Sequence, residues 1–158
     1  MKTAIYAGTF DPITNGHLEV LDKACGIFDE VILAVAEDTG KNPVFSVKER
    51  FELCKTATEK IPKVKVAKFS GLVVDFAKKV NGTALIRGLR AVSDFEYELS
   101  LALMNKKLYE DINTIFFVPQ SKYLYLSSTM IRQVVKLGGN IEDMIPDCVV
   151  EALRKKIK

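Results

Sequence analysis

Five short apolar runs, rich in β-branched or aromatic residues, alternate with stretches of helical periodicity, and no other feature restricts the fold so much. The runs are Thr3–Ala7, Val31–Ala36, Val64–Phe69, Ala84–Arg87 and Thr114–Val118. Strands separated by helices predict a parallel sheet, because a parallel pair needs a long crossover and helices are the usual crossover.

The predicted class is α/β: a Rossmann-like five-stranded parallel sheet with helices on both faces. No repeat, low-complexity segment or Pro/Ser-rich linker divides the chain, so residues 1–158 read as one domain. In the first helix His17, Leu21, Ala24 and Phe28 share one stripe, which points His17 the way the buried side chains point. The second opens with Ser46-Val47-Lys48-Glu49, a capping-box pattern, and is expected to bury Val47, Phe51, Cys54 and Ile61. A later helix, about Asp94 to Tyr109, carries a narrow strip of Asp94, Glu98, Ala102 and Asn105. Apolar residues flank it on both sides: Phe95, Leu99 and Leu103 on one, Tyr97, Leu101, Met104 and Leu108 on the other. A polar strip between apolar flanks reads as a pocket wall, with one flank on the sheet and the other free for a second subunit. The last two helices are expected over Ser128–Leu137 and Pro146–Lys156.

Every unusual polar cluster follows a predicted strand. Thr9, Asp11 and His17 follow the first, and Glu37-Asp38-Thr39-Gly40-Lys41 the second. Ser70-Gly71-Leu72-Val73, Arg87-Gly88-Leu89-Arg90 and Ser127-Ser128-Thr129 follow the others. Parallel strands end along one edge, and ligands of such sheets bind there, so the clusters should converge. Two helix openings, at Gly16 and Ser128, offer unpaired amides to an anion. Lys41, Arg87 and Arg90 add positive charge, and His17 adds a donor. Such a site suits a polyphosphate and a transition state that gains negative charge.

Each element also has a plainer account. His17 could be a packing residue, Lys41 a loop lysine, Glu98 a solvated helix charge and Arg87 half of an ion pair. Ser127-Ser128-Thr129 could be only an N-cap, worth ~1 kcal/mol. Their co-occurrence at one sheet edge carries the functional reading. No serine or cysteine has a recognisable histidine–carboxylate relay, and the Walker and G-x-G-x-x-G patterns are missing.

Composition narrows the rest. Cys25, Cys54 and Cys148 are odd in number and far apart, which points to reduced thiols in the cytoplasm. One histidine leaves no His-rich metal site, and no metal ligand can be assigned. The chain runs directly into a strand without a signal-type stretch, and no apolar run is long enough to span a membrane. The net charge of +3 argues against broad nucleic-acid binding.

Thr14-Asn15-Gly16-His17 and Ser127-Ser128-Thr129-Met130-Ile131-Arg132 resemble the paired motifs with which the nucleotidylyltransferase superfamily sandwiches a nucleoside triphosphate. The run Gly8 to His17, with Ile86-Arg87-Gly88-Leu89-Arg90 and Asp94-Phe95-Glu96-Tyr97-Glu98, is similar to bacterial phosphopantetheine adenylyltransferases along essentially the whole chain. That resemblance implies adenylyl transfer from ATP to 4′-phosphopantetheine, giving dephospho-coenzyme A and pyrophosphate, with Mg²⁺ and by direct in-line attack. It makes His17, Lys41 and Arg90 catalytic, with His17 stabilising the pentacovalent transition state. It assigns Thr9, Lys41, Val73, Arg87 and Asn105 to the pantetheine substrate. It assigns Thr9, Phe10, His17, Gly88, Leu89, Arg90, Glu98, Tyr123, Leu124, Tyr125, Leu126, Ser127, Ser128 and Thr129 to ATP. It further implies a cytoplasmic homohexamer with coenzyme A as feedback ligand.

Three rivals stand beside it: a nucleotidylyltransferase with another acceptor such as nicotinate mononucleotide, a non-catalytic nucleotide sensor, and an RNA-binding module. The RGLR and DFEYE segments argue against the first, His17 against the second and the near-balanced charge against the third.

Overall fold

The computed structural model describes residues 1–40 and 42–157, without the side chains of Val92 and Ser93. Five parallel strands form one sheet: β1 (Thr3–Gly8), β2 (Glu30–Ala36), β3 (Val64–Phe69), β4 (Ala84–Gly88) and β5 (Asn113–Phe117). Their order is β3-β2-β1-β4-β5. The chain winds outward from β1 to β3, then returns to β4 on the other side of β1. The direction of winding therefore reverses between β1 and β4, where crossovers on opposite faces leave a crevice at the strand ends.

Among the described residues four α-helices join these strands, α1 (Asn15–Cys25), α2 (Val47–Thr58), α3 (Val73–Lys79) and α4 (Val92–Leu108), and two follow the last, α5 (Ser128–Lys136) and α6 (Asp147–Lys156). Central strands are apolar on both faces because both are covered. Ala4, Tyr6, Val31, Leu33 and Ile86 face one core with Leu21 and Ala24 of α1, Ile131 of α5 and Leu153 of α6. Ile5, Ile32, Ala34 and Leu85, one residue out of phase, face a second core with Val74 and Ala77 of α3. At the edge, β3 turns Lys65 and Lys68 outward, a common defence against further strand pairing.

Two expectations need correction. The stripe that α2 buries is Arg50, Cys54 and Thr58; Val47, Phe51 and Ile61 are only half-buried. The flank of α4 expected to rest on the sheet is largely open. Phe95 meets Phe116 edge-on at 6.0 Å, yet it is 42% exposed and Leu103 is 63% exposed. No helix among the described residues is long and apolar enough to cross a membrane.

Candidate active site

The loop after β1 turns sharply, and Phe10 takes a left-handed conformation with φ 50°. That conformation is costly for an aromatic residue. It tucks the Phe10 ring over Gly8, where an added Cβ would lie 3.0 Å from the ring. The chain then reaches Thr14, whose side-chain oxygen accepts from the His17 amide, while the His17 ring accepts in return from the Thr14 amide. A histidine thus fills the place that a glutamate takes in an ordinary capping box. The Thr14 amide reaches Nδ1 at 3.0 Å. Nδ1 is therefore the acceptor, and in the neutral ring the proton sits on Nε2. Phe10 packs edge-on against the ring at 5.1 Å, and Tyr6 lies 6.1 Å from it. Burial, with Arg90 and Arg87 nearby, lowers the His17 pKa to about 4. His17 is consequently a neutral hydrogen-bond donor at physiological pH.

Beyond β1, a cavity of about 500 Å³ opens at the crevice. Thr9, Phe10, His17, Arg87, Gly88, Arg90, Glu98, Tyr123, Leu126, Ser127, Ser128 and Thr129 all line it. The clusters after β1, β4 and β5 therefore meet here, whereas Asp38 after β2 and Gly71, Leu72 and Val73 after β3 border a separate cavity, and Lys41 lies outside the described residues. Ser127 caps α5 by accepting from the Met130 amide, and Ser128 donates to the Pro12 carbonyl at 2.7 Å. That second bond ties the start of α5 to the loop leading into α1, so both helix openings border one space.

A second cavity, of about 440 Å³, lies on the α3–α4 side of the sheet. Val73 and Asn105 line it, with Gly71, Leu101 and Ala102. Thr9, Arg87 and Glu98 border both cavities. The strip on α4 divides accordingly: Asp94 faces the first, Ala102 and Asn105 the second, and Glu98 both. Leu89, Leu124 and Tyr125 line neither. Leu89 donates its amide to the Phe117 carbonyl, extending the sheet, and Tyr125 is 54% exposed.

Arg87 answers the choice between ion pair and anion ligand by leaving room for both. Its Nε and Nη2 each lie 2.6 Å from a Glu98 carboxylate oxygen, and Nη1 donates to the Ala7 carbonyl. A guanidinium has five N–H donors, so two are left for a ligand. Burial works against this charge, yet Glu98 more than offsets it and raises the Arg87 pKa. Arg90 donates to the Leu126 carbonyl at 3.0 Å and pairs with Asp94 at 3.4 Å. It thus joins the loop after β4 to the one before α5.

Two residues have structural consequences here that the sequence did not show: Asp11, read there only as part of the polar cluster after the first strand, and Arg50. Asp11 accepts from the Val44 and Phe45 amides, both at 2.9 Å. Arg50 is 1% exposed. Its only sequence signal is the i, i+4, i+8 alignment with Cys54 and Thr58, masked by the equally regular Val47–Phe51–Cys54 stripe.

The described residues contain no group of three His, Cys, Asp or Glu side chains placed to hold a metal. Both acidic side chains of the first cavity, Asp94 and Glu98, are already paired with arginines. The protein's own donors therefore do not form a magnesium cage.

The cytidylyltransferase-like family model matches residues 5–134. A curated protein from Dictyoglomus turgidum named phosphopantetheine adenylyltransferase is 49% identical over 158 residues, covering 100% of this chain and 99% of its own. One of the same name from Desulfitobacterium hafniense strain Y51 is 52% identical over 156 residues, covering 99% and 96%. Among solved structures, one from Vibrio parahaemolyticus, provisionally assigned as a nicotinate-nucleotide adenylyltransferase, superposes with a TM-score of 0.74. It covers 97% of this chain and 99% of its own at 18% identity, a likeness of fold.

Proposed function

From a chain that belongs to the phosphopantetheine adenylyltransferase family, within the cytidylyltransferase-like group, we infer adenylyl transfer from ATP to 4′-phosphopantetheine at the shared edge of the two cavities. The products are dephospho-coenzyme A and pyrophosphate, and the reaction belongs to coenzyme A biosynthesis. One observation supports the placement above all: Thr9, Arg87 and Glu98 stand between a phosphate-type cavity and a second, more apolar one. That arrangement suits a triphosphate meeting a phosphate on a long flexible arm.

In this reading an oxygen of the acceptor phosphate attacks the α-phosphorus of ATP in line. A P–O bond forms to the acceptor, the bond to the bridging oxygen breaks, and pyrophosphate leaves. No water is consumed and no group on the protein is covalently modified. His17 donates from Nε2 to an α-phosphate oxygen as charge grows on it, a contact that strengthens in the transition state. Because the Thr14 amide fixes the tautomer, that donor is in place before ATP arrives. Arg90 and the α5 opening at Ser128 and Thr129 receive the β- and γ-phosphates. Thr9, Arg87 and, by resemblance, Lys41 hold the acceptor phosphate, with Val73 and Asn105 along the pantetheine arm. Phe10, Gly88, Glu98, Tyr123, Leu126 and Ser127 surround the nucleotide, and Leu89, Leu124 and Tyr125 are assigned to it by resemblance alone.

Magnesium in this scheme enters with ATP, held by phosphate oxygens and water as its hydration chemistry favours, and no step runs through it. The open flanks of α4 support assembly into a homohexamer. Coenzyme A, which contains the product's nucleotide and arm, is the feedback ligand, and the protein works in the cytoplasm as one domain over residues 1–158.

The test is pyrophosphate release from ATP with separate acceptors. Release with 4′-phosphopantetheine is expected. Release with nicotinate mononucleotide alone would overturn the assignment.

A further inference from the structure

Arg50 rises from the first turn of α2 into the protein interior, where nearly all of it is shielded from solvent. Each of its hydrogen bonds ends on a main-chain carbonyl. Nε donates to Phe45 at 3.2 Å, and Nη1 donates to Thr9 at 2.8 Å and to Ala36 at 2.7 Å. These carbonyls come from three different segments at the active edge: the loop after β1, the last residue of β2 and the turn that enters α2.

A buried guanidinium is costly to desolvate, and a carboxylate partner is the usual compensation. Asp11 carries the opposing charge, but its oxygens accept from the Val44 and Phe45 amides, and one of them lies 3.6 Å from the Arg132 guanidinium. The same loops are therefore clasped twice, by Arg50 through carbonyls and by Asp11 through amides. An aliphatic side chain of similar length could fill the space, so packing does not account for the guanidinium. What it adds is a rigid planar fork that sets three carbonyls at fixed spacing. Thr9 is one of the three, and it borders both cavities.

We propose that Arg50 is a positioning residue for adenylyl transfer: by bracing the Thr9 backbone against the end of β2 and the start of α2, it places the acceptor phosphate for in-line attack. This rests on the reading above, in which Thr9 touches that phosphate. Among the described residues the Arg50 bonds go to Phe45, Thr9 and Ala36 and not to the 88–98 or 123–129 segments assigned above to ATP. Its effect is therefore directed at one substrate. A misplacement of about 1 Å can cost roughly 10²-fold in rate.

The deciding experiment is steady-state kinetics of R50K with each substrate varied in turn, alongside thermal unfolding. Lysine keeps the charge and the stem, but one ammonium cannot serve three carbonyls in the plane of a guanidinium. A cooperatively folded R50K is expected to lose about 10²-fold in kcat/KM for 4′-phosphopantetheine, with the KM for ATP within about twofold of wild type. Equal losses for both substrates, in step with a lowered Tm, would mean a merely structural role and overturn the proposal, as would wild-type kinetics. If R50K does not fold, R50Q decides, since its shorter amide keeps a donor within the same clasp but cannot span the Phe45, Thr9 and Ala36 carbonyls. It must show the same acceptor-selective loss, and an unselective one overturns the proposal. Wild-type protein active only with a different acceptor would refute the assigned substrate, whereas a loss selective for that acceptor in R50K would still support the brace.

Discussion

The Thr14 amide holds Nδ1 of His17 at 3.0 Å, so a helix cap and the tautomer of the single histidine are one interaction. Removing the ring should slow chemistry more than it weakens binding. We expect His17→Ala to lower kcat by roughly 10²–10³-fold, as loss of one transition-state donor does elsewhere, while ATP still binds. Calorimetric titration with ATP beside single-turnover kinetics checks this. Unchanged turnover would remove His17 from the mechanism.

The same ring makes stability depend on pH in a definite direction. Its folded pKa, about 4, lies below the ordinary histidine value of 6.5, so the unfolded chain binds the proton more readily. The contribution is complete above pH 6.5 and is lost as pH falls from there towards 4. Between pH 7 and 5 it amounts to up to about 2 kcal/mol, a ceiling because the ring is only half-buried. Denaturant unfolding at both pH values should show a smaller loss in His17→Asn than in wild type. An identical loss would mean that another group titrates.

Arg90 joins Leu126 and Asp94 on the nucleotide side of the cavity. Arg90→Ala is expected to raise the KM for ATP about tenfold or more, the scale of one charge-assisted contact, with little change in the KM for the acceptor. Lys41→Ala should show the opposite preference. Reversed preferences in the two variants would mean that the cavities have been assigned to the wrong substrates.

Glu98→Gln leaves the Arg87 guanidinium without its anion. The Arg87 side chain is 33% exposed and that of Glu98 11%, so the cost falls below that of a fully buried pair, at about 1–3 kcal/mol. At roughly 2–4 °C per kcal/mol for a chain of this size, scanning calorimetry should record a Tm lower by several degrees. A Tm equal to wild type would show that water replaces Glu98 without penalty.

Leu103 and Met104 are 63% and 58% exposed on α4. If they meet another subunit, Leu103→Glu should shift the protein to a smaller species in sedimentation while leaving its circular dichroism intact. An unchanged sedimentation coefficient would place the contact elsewhere.

Strand periodicity was nearly sufficient to read the sheet: Val64–Phe69 falls where expected, the first, second and fourth runs differ by a residue at one end, and the last is shifted by one residue. The reason is burial on both faces, which writes strands as continuous apolar runs. The site was legible as clusters at strand ends because topology alone brings such ends together. Arg50 was not, because its role depends on carbonyls contributed by residues 9, 36 and 45, and main-chain acceptors leave no trace in side-chain identity. The open face of α4 was half legible: its two apolar flanks were visible, but which of them the sheet would leave exposed depends on how the helix is set against it. Asp11 was legible as a member of the first cluster but its clasp was not, since the Val44 and Phe45 groups it holds are main-chain amides.

Because β1 lies at the middle of the sheet and borrows β4 as a neighbour, it is fully paired only after β4 has been made. The cavity needs side chains from Tyr6 through Thr129. A nascent chain released before Thr129 has made the histidine and both arginines but not the roof over them, so catalytic competence arrives late in synthesis and all at once.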